Sequence, residues 1–257
     1  MPVTIHLVRH AQGIHNLCQE NESIPDPALT ELGEQQCREL RAQFPHHDKV
    51  TRLFASPLRR TLNTCLLSFG RLETADTAQN PHGPVVAIPE LQEVSDSPCD
   101  TGSDAAILRR EFAGLVDLQR VYDGWNAVPE WVSWQAKIAE LQARALRARL
   151  VLREMLQFAG EDEHVVVVTH GAFLHFFTGD YYGIVPPRAT AWNNTEVRSF
   201  QFLDPEGCDP EALLVETAPS WEIRYGDMPR PTLADQQMLQ QAYYEQVQQW
   251  LDPAMLK

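Results

Sequence analysis

Four consecutive valines, Val165–Val168, constrain this chain more than any other stretch. A strand with one face in water alternates apolar and polar side chains. A run without alternation belongs to a strand covered on both faces, as in a parallel sheet sandwiched by helices. Other β-branched runs suit the same sheet: Val3 to Val8, Leu53 to Ala55, Val85 to Ile88 and Val197 to Leu203. Helical patterns lie between them. Thr30 to Phe44 opens on Thr30 with Glu31 and Glu34 in its first turn, a favourable N-terminus. Leu58 to Phe69 is a second helix. The longest runs from Pro129 to Phe158, where Trp134, Ile138, Leu141, Ala145, Ala148, Leu152 and Met155 form one apolar stripe. Gly160 and the acidic Glu161-Asp162-Glu163 end it. Strands alternating with helices predict an α/β fold: a three-layer sandwich with a mostly parallel central sheet flanked by helices.

Two regions fit that core less well. Residues 70–128 hold clusters of Pro, Gly, Asp and Ser, and read as an insertion over the C-terminal edge of the strands. The 229–257 tail carries a last helix, Thr232 to Leu251, with Leu239, Tyr243, Val247 and Trp250 on one face. That face packs on the core in the simplest reading; a homodimer contact is its second use, and the oligomeric state stays open. The whole of 1–257 reads as one domain.

Composition narrows the function. The formal net charge is −14, which argues against a broad nucleic-acid surface, since that needs clustered cations to release counterions. No apolar run approaches the roughly 20 residues that span a bilayer, and MPVTIHLVRHAQG does not read as a signal peptide. The five cysteines (Cys18, Cys37, Cys65, Cys99, Cys208) form no CxxC pair. Reduced thiols in the cytoplasm are the expectation, which leaves the sequon Asn193-Asn194-Thr195 idle. Lysine occurs only at Lys49, Lys137 and Lys257, so the cations are otherwise arginine, the better partner for phosphate or carboxylate.

The strand ends carry the chemistry. The first ends in Arg9-His10, the second runs into Ser56-Pro57-Leu58-Arg59-Arg60, and the valine strand ends in Thr169-His170-Gly171. Ligands of open α/β sheets bind beyond the carboxyl ends of the strands. If these strands are neighbours, two histidines and at least two arginines meet there. Arginines neutralise phosphoryl oxygens, and a neutral imidazole nitrogen attacks phosphorus.

"LVRHAQGIHN" (Leu7 to Asn16) resembles the signature of the histidine phosphatase superfamily, also called phosphoglycerate mutase-like. Further blocks agree in order: "DPALTELGEQQ" (Asp26 to Gln36), "ASPLRRTLNTC" (Ala55 to Cys65), "PELQE" (Pro89 to Glu93) and "VVVVTHGAFL" (Val165 to Leu174). Together they span residues 3 to 175. Ala11 stands where the family usually has glycine. The resulting Arg-His-Ala-Gln-Gly form, with "SDSPCDTGS" (Ser95 to Ser103), is similar to a plant and fungal branch.

The resemblance implies His10 as the nucleophile that becomes phosphohistidine. It implies Arg9, Arg60 and His170 as catalytic and phosphate-binding groups, with Asn16 and Gly171 completing the substrate-binding set. Arg60 aligns rather than Arg59 because it stands four residues after Ser56 and four before Thr64. Glu93, ahead of Glu90, matches the general acid, which needs a raised pKa to hold its proton. His10 must be neutral at the attacking nitrogen, with an acceptor for the other. No cofactor and no metal is implied: there is no HExxH and no Cys/His ligand spacing. His6, His15, His164 and His175 read as structural or rim residues, and Arg59, Arg109, Arg110 and Arg188 as solvated surface.

The expected activity is metal-independent hydrolysis of a phosphomonoester on a small phosphorylated substrate. A phosphoglycerate-type mutase is the first alternative. It ranks lower because the Glu-Arg-x-Tyr-Gly block and the paired arginines followed by a proline run are missing. A non-catalytic phosphate-binding or scaffold module is the second.

Overall fold

The structure, a computed structural model, describes residues 3–70, 83–127, 132–160, 162–185 and 188–251. Strands β1 (Thr4–Arg9), β2 (Val50–Ala55), β3 (Val85–Ala87), β4 (Val116–Asp117), β5 (His164–Thr169), β6 (Val197–Phe202) and β7 (Leu214–Glu216) form one sheet. Its order is β4-β3-β2-β5-β1-β6-β7. The pairings among β4, β3, β2, β5 and β1 are all parallel, and β6 pairs antiparallel with both β1 and β7. Helices α1 (Glu31–Gln43), α2 (Arg59–Phe69), α3 (Ala105–Glu111), α4 (Trp134–Leu156), α5 (Gly171–Thr178), α6 (Ala218–Tyr225) and α7 (Leu233–Leu251) complete it.

The valine run lies in β5, at the centre, and all four side chains are fully buried. Val166 and Val168 pack with Leu58, Leu62 and Phe69 of the α2 region and with Leu108 of α3. Val165 and Val167 pack with Leu141 and Leu152 of α4, Phe173 and Phe177 of α5, and Tyr243 and Val247 of α7. Two cores, one on each face, make the three expected layers and account for the lack of alternation. Leu239 and Tyr243 of α7 lie on the core as expected; the side chain of Trp250 lies outside the described residues.

Side-chain caps fix the starts of two predicted helices: α1 begins as expected, and α4 begins later than expected. Thr30 Oγ1 accepts from Gly33 N at 3.0 Å, and Ser133 caps α4 by accepting from Ala136 N. The long helix therefore begins at Trp134, and Pro129, its expected start, lies outside the described residues. Elements beyond those expected are α3, α5, α6, β4 and β7. The expected insertion, within residues 83–127, is in part sheet: β3 and β4 extend the edge, and the segment between them returns over the carboxyl ends of the strands. No helix among the described residues is long and apolar enough to cross a membrane.

Candidate active site

Register brings the strand ends together. Arg9 of β1 faces Thr169 of β5, and Ala55 of β2 faces Val168. One residue further on, His10 N donates to Thr169 O and Ser56 N to Val168 O, both at 3.0 Å. The backbone ladder thus delivers His10, His170 and Ser56 from three adjacent strands. The rings of His10 and His170 lie 5.3 Å apart, centroid to centroid.

Hydrogen bonding fixes both tautomers. His10 Nδ1 donates to Ala11 O at 2.7 Å, and Arg60 Nε donates to His10 Nε2 at 3.3 Å. His10 therefore carries its proton on Nδ1 and presents a lone pair on Nε2. The expected acceptor for its second nitrogen is thus the next residue's carbonyl. His170 has the opposite tautomer: Arg60 Nη2 donates to its Nδ1 at 3.0 Å, and its Nε2 donates to Ser56 Oγ at 2.8 Å. Burial, then Arg60, hold both imidazoles well below the ordinary histidine pKa.

Arg60 belongs to the first turn of α2 and is fully buried. Beyond the two histidines it donates from Nη1 to Cys99 O at 2.6 Å and from Nη2 to Asp100 Oδ1 at 2.7 Å. Arg9 donates from Nη1 to Trp192 O at 2.6 Å, while its buried Nε has no partner among the described residues. Burial pulls the Arg9 pKa down, with Arg60 adding to the effect and Glu93 opposing it.

Glu93 sits at the N-terminus of α5. Its carboxylate accepts from Phe173 N at 2.8 Å and Ala172 N at 3.2 Å, and from Val94 N at 3.0 Å. Burial and then the Asp100 carboxylate raise its pKa; Arg60 and the α5 amides oppose them. The upward direction is the one a general acid needs. A cavity of about 250 Å³ opens beside Glu93 and Asp100, with Tyr122, Trp125 and Arg144 among its walls.

Two expected ligands touch the pocket differently. Asn16 is exposed; its Oδ1 accepts from Gly13 N at 3.0 Å and its Nδ2 meets His15 Nε2 at 3.0 Å. Among the described residues it reaches His10 through His15, whose ring lies 5.5 Å from that of His10. Gly171 begins α5 beneath Arg9, and a Cβ there would crowd Thr190 Cγ2 at 2.7 Å and Arg9 Nε at 3.1 Å. Ala11 is fully buried, is not among the residues of positive φ, and donates its N–H to Thr64 Oγ1 at 3.0 Å. The position needs no glycine.

Sequence reasoning missed Asp100, Arg144, Asn194 and the Trp192 carbonyl. Asn194 Nδ2 donates to His10 O at 2.8 Å, and Arg144 Nη2 to Glu93 O at 2.9 Å. Asp100 lay in view within "SDSPCDTGS", but nothing in that string says it faces Arg60. The other histidines fall as expected, while Arg59, expected as solvated surface, is half-buried. His6 and His164 bond each other at 2.9 Å, His175 bonds Asp180 O and Thr190, and Arg59 pairs with Glu111. Arg109, Arg110 and Arg188 are exposed. Among the described residues no group of three or more His, Cys, Asp or Glu side chains is arranged to hold a metal.

Fold and pocket define an α/β protein with paired histidines and two arginines at the carboxyl ends of its central strands. The profile of the histidine phosphatase superfamily (branch 1) matches residues 5–216. The chain belongs to that family. It is 29% identical over 206 residues, 67% of its length and 72% of the relative's, to a phosphoglycerate mutase-like protein of Arabidopsis thaliana. It is 30% identical over 179 residues (68% and 76%) to a Schizosaccharomyces pombe protein described as a probable phosphatase. In fold it is similar to the ecdysone phosphate phosphatase of Bombyx mori, with a TM-score of 0.55, 14% identity and coverage of 89% and 94%. It is also similar to YhfR of Bacillus stearothermophilus, with a TM-score of 0.51, 18% identity and coverage of 88% and 98%.

Proposed function

We propose that the protein is a phosphatase that hydrolyses a phosphomonoester through a phosphohistidine on His10. The observation that carries this reading is the His10 tautomer: with Nδ1–H spent on Ala11 O, Nε2 is the nucleophilic nitrogen. Nε2 attacks phosphorus, the P–O ester bond breaks, and the leaving oxygen takes the proton held by Glu93. Glu93 then accepts a proton from water. The resulting hydroxide cleaves the P–N bond, releasing inorganic phosphate and restoring His10. Arg9, Arg60 and His170 stabilise the charge on the transferring group, so no step calls for a metal ion or a cofactor. Preorganised donors of this kind are each worth about 2.7–4 kcal/mol in the transition state. The substrate is a small phosphorylated molecule.

The test is hydrolysis of p-nitrophenyl phosphate in EDTA by the native protein and by His10→Ala. The expected result is turnover that His10→Ala abolishes. Activity surviving in His10→Ala overturns the mechanism. An acid-labile phosphoenzyme formed from 2,3-bisphosphoglycerate, without hydrolysis of the monoester, supports a mutase. Neither turnover nor labelling supports a binding module.

A further inference from the structure

The carboxylate on Arg60 takes no direct step in the mechanism above. Asp100 closes a 3₁₀ turn, Pro98–Asp100, in the segment between β3 and β4. Its Oδ1 lies 2.7 Å from Arg60 Nη2, with the two side chains 9% and 0% exposed. Arg60 donates once from Nε, once from Nη1 and twice from Nη2. A guanidinium has five N–H groups, so one remains, on Nη1. Capture of a phosphoryl group by two parallel N–H bonds, the strong mode for arginine, is blocked while these partners hold.

We propose that Asp100 is a specificity-determining residue of the phosphate pocket, a built-in carboxylate that competes with the phosphoryl group for Arg60. This rests on the reading of the pocket as a phosphatase site. Three observations make Asp100 a competitor in place rather than a stray rim charge. Its second oxygen is held by Ser95 Oγ, and its N–H donates to Ser97 O at 2.9 Å. It also lines the cavity beside Glu93 while bonding Arg60, which is fully buried and is not among that cavity's walls. And it stands close enough to Glu93 to raise that residue's pKa. An anion entering the pocket must displace Asp100 or share the guanidinium with it. The free phosphate left after hydrolysis meets the same competition, so the pocket holds its product loosely and releases it.

The experiment is titration of the full chain with inorganic phosphate by calorimetry, comparing native protein, Asp100→Asn and Ser95→Ala. Removing a like charge from an anion site is expected to lower the phosphate Kd by about tenfold or more in Asp100→Asn. The same variant is expected to show stronger product inhibition by phosphate. Ser95→Ala keeps the charge but unties it, and is expected to tighten phosphate binding by a smaller factor. It stands as the test if Asp100→Asn fails to fold. Unchanged or weaker binding in both variants overturns the proposal while leaving the phosphatase reading intact, because Asp100 then only orients Arg60. No phosphate binding by any of the three, together with no hydrolysis, overturns both.

Discussion

In the proposed mechanism His10 is the nucleophile and Glu93 the acid and then the base, and their surroundings suit these separate roles. Burial and neighbouring cations keep the imidazole neutral far below its ordinary pKa, while burial and Asp100 keep the carboxyl protonated above its own. Groups whose pKa values are pushed to their working forms mark the roles of a site. The pH profile follows with its signs. Activity falls as pH drops through the lowered His10 value, because a protonated ring cannot attack. It falls as pH rises through the raised Glu93 value, because the leaving oxygen loses its proton donor. A kcat/KM profile for an alkyl phosphate is therefore expected to be bell-shaped, with its acid limb below the ordinary histidine pKa and its alkaline limb above the ordinary carboxyl pKa. Glu93→Gln is expected to lose about 10²–10⁴-fold in kcat and to flatten the alkaline limb. An alkaline limb unchanged in Glu93→Gln assigns that proton to another group.

At the scale of elements, the pocket depends on close packing between α1 and the loop after β1. A Cβ on Gly33 would overlap the Gln12 carbonyl oxygen, which also accepts from Thr30 N at 3.0 Å. Gly33→Ala must push that loop, and Ala11 with it, away from the helix. The expected cost is about 1–3 kcal/mol, read as a lower melting temperature, with a drop in kcat as His10 loses its seat. A variant as stable as the native protein would show that the loop yields freely. How much of this was legible depends on the kind of signal. The valine strand, the α4 stripe and the cap of α1 are periodic or local, and they were readable; the Ser133 cap of α4 was not, that helix being expected from Pro129. Helix α5 was not, because Gly171 through Phe177 are buried all round and leave no polar face to mark a period. Strand β4 has two residues and no pattern. In the site, His10, Arg60, Glu93 and His170 came from spaced motifs. Asp100 and Arg144 did not, because a single charge acquires a role only when folding sets it beside another.

For the whole molecule, burial governs acid stability. Six of the nine histidines, His6, His10, His15, His164, His170 and His175, have lowered pKa values, and burial is the first cause in each. His6 and His15 are pushed to about 3 and His175 to about 4. Below pH 6.5 the unfolded chain protonates these rings and the folded chain does not, so stability declines as pH falls. Glu93, Asp26 and Glu22, whose pKa values are raised, act in the opposite sense but are outnumbered. Urea unfolding between pH 6.5 and 5 is expected to lose stability at more than about 1.4 kcal/mol per pH unit, the slope of one proton taken up. A flat or rising stability over that interval contradicts the neutral cluster. Core substitutions act at this scale too. Val167→Ala is expected to lower stability by about 2 kcal/mol and to leave kcat per folded molecule unchanged.

That last outcome follows from how the pocket is spaced. His10 and Ser56 are placed by main-chain bonds to β5, the strand that His170 follows, and strands in a sheet stand about 4.8 Å apart whatever side chains they bear. The sheet works as a ruler whose divisions are peptide groups. Sequence change in the surrounding core alters how many molecules are folded at a given moment, while each folded one keeps the same measure between its histidines.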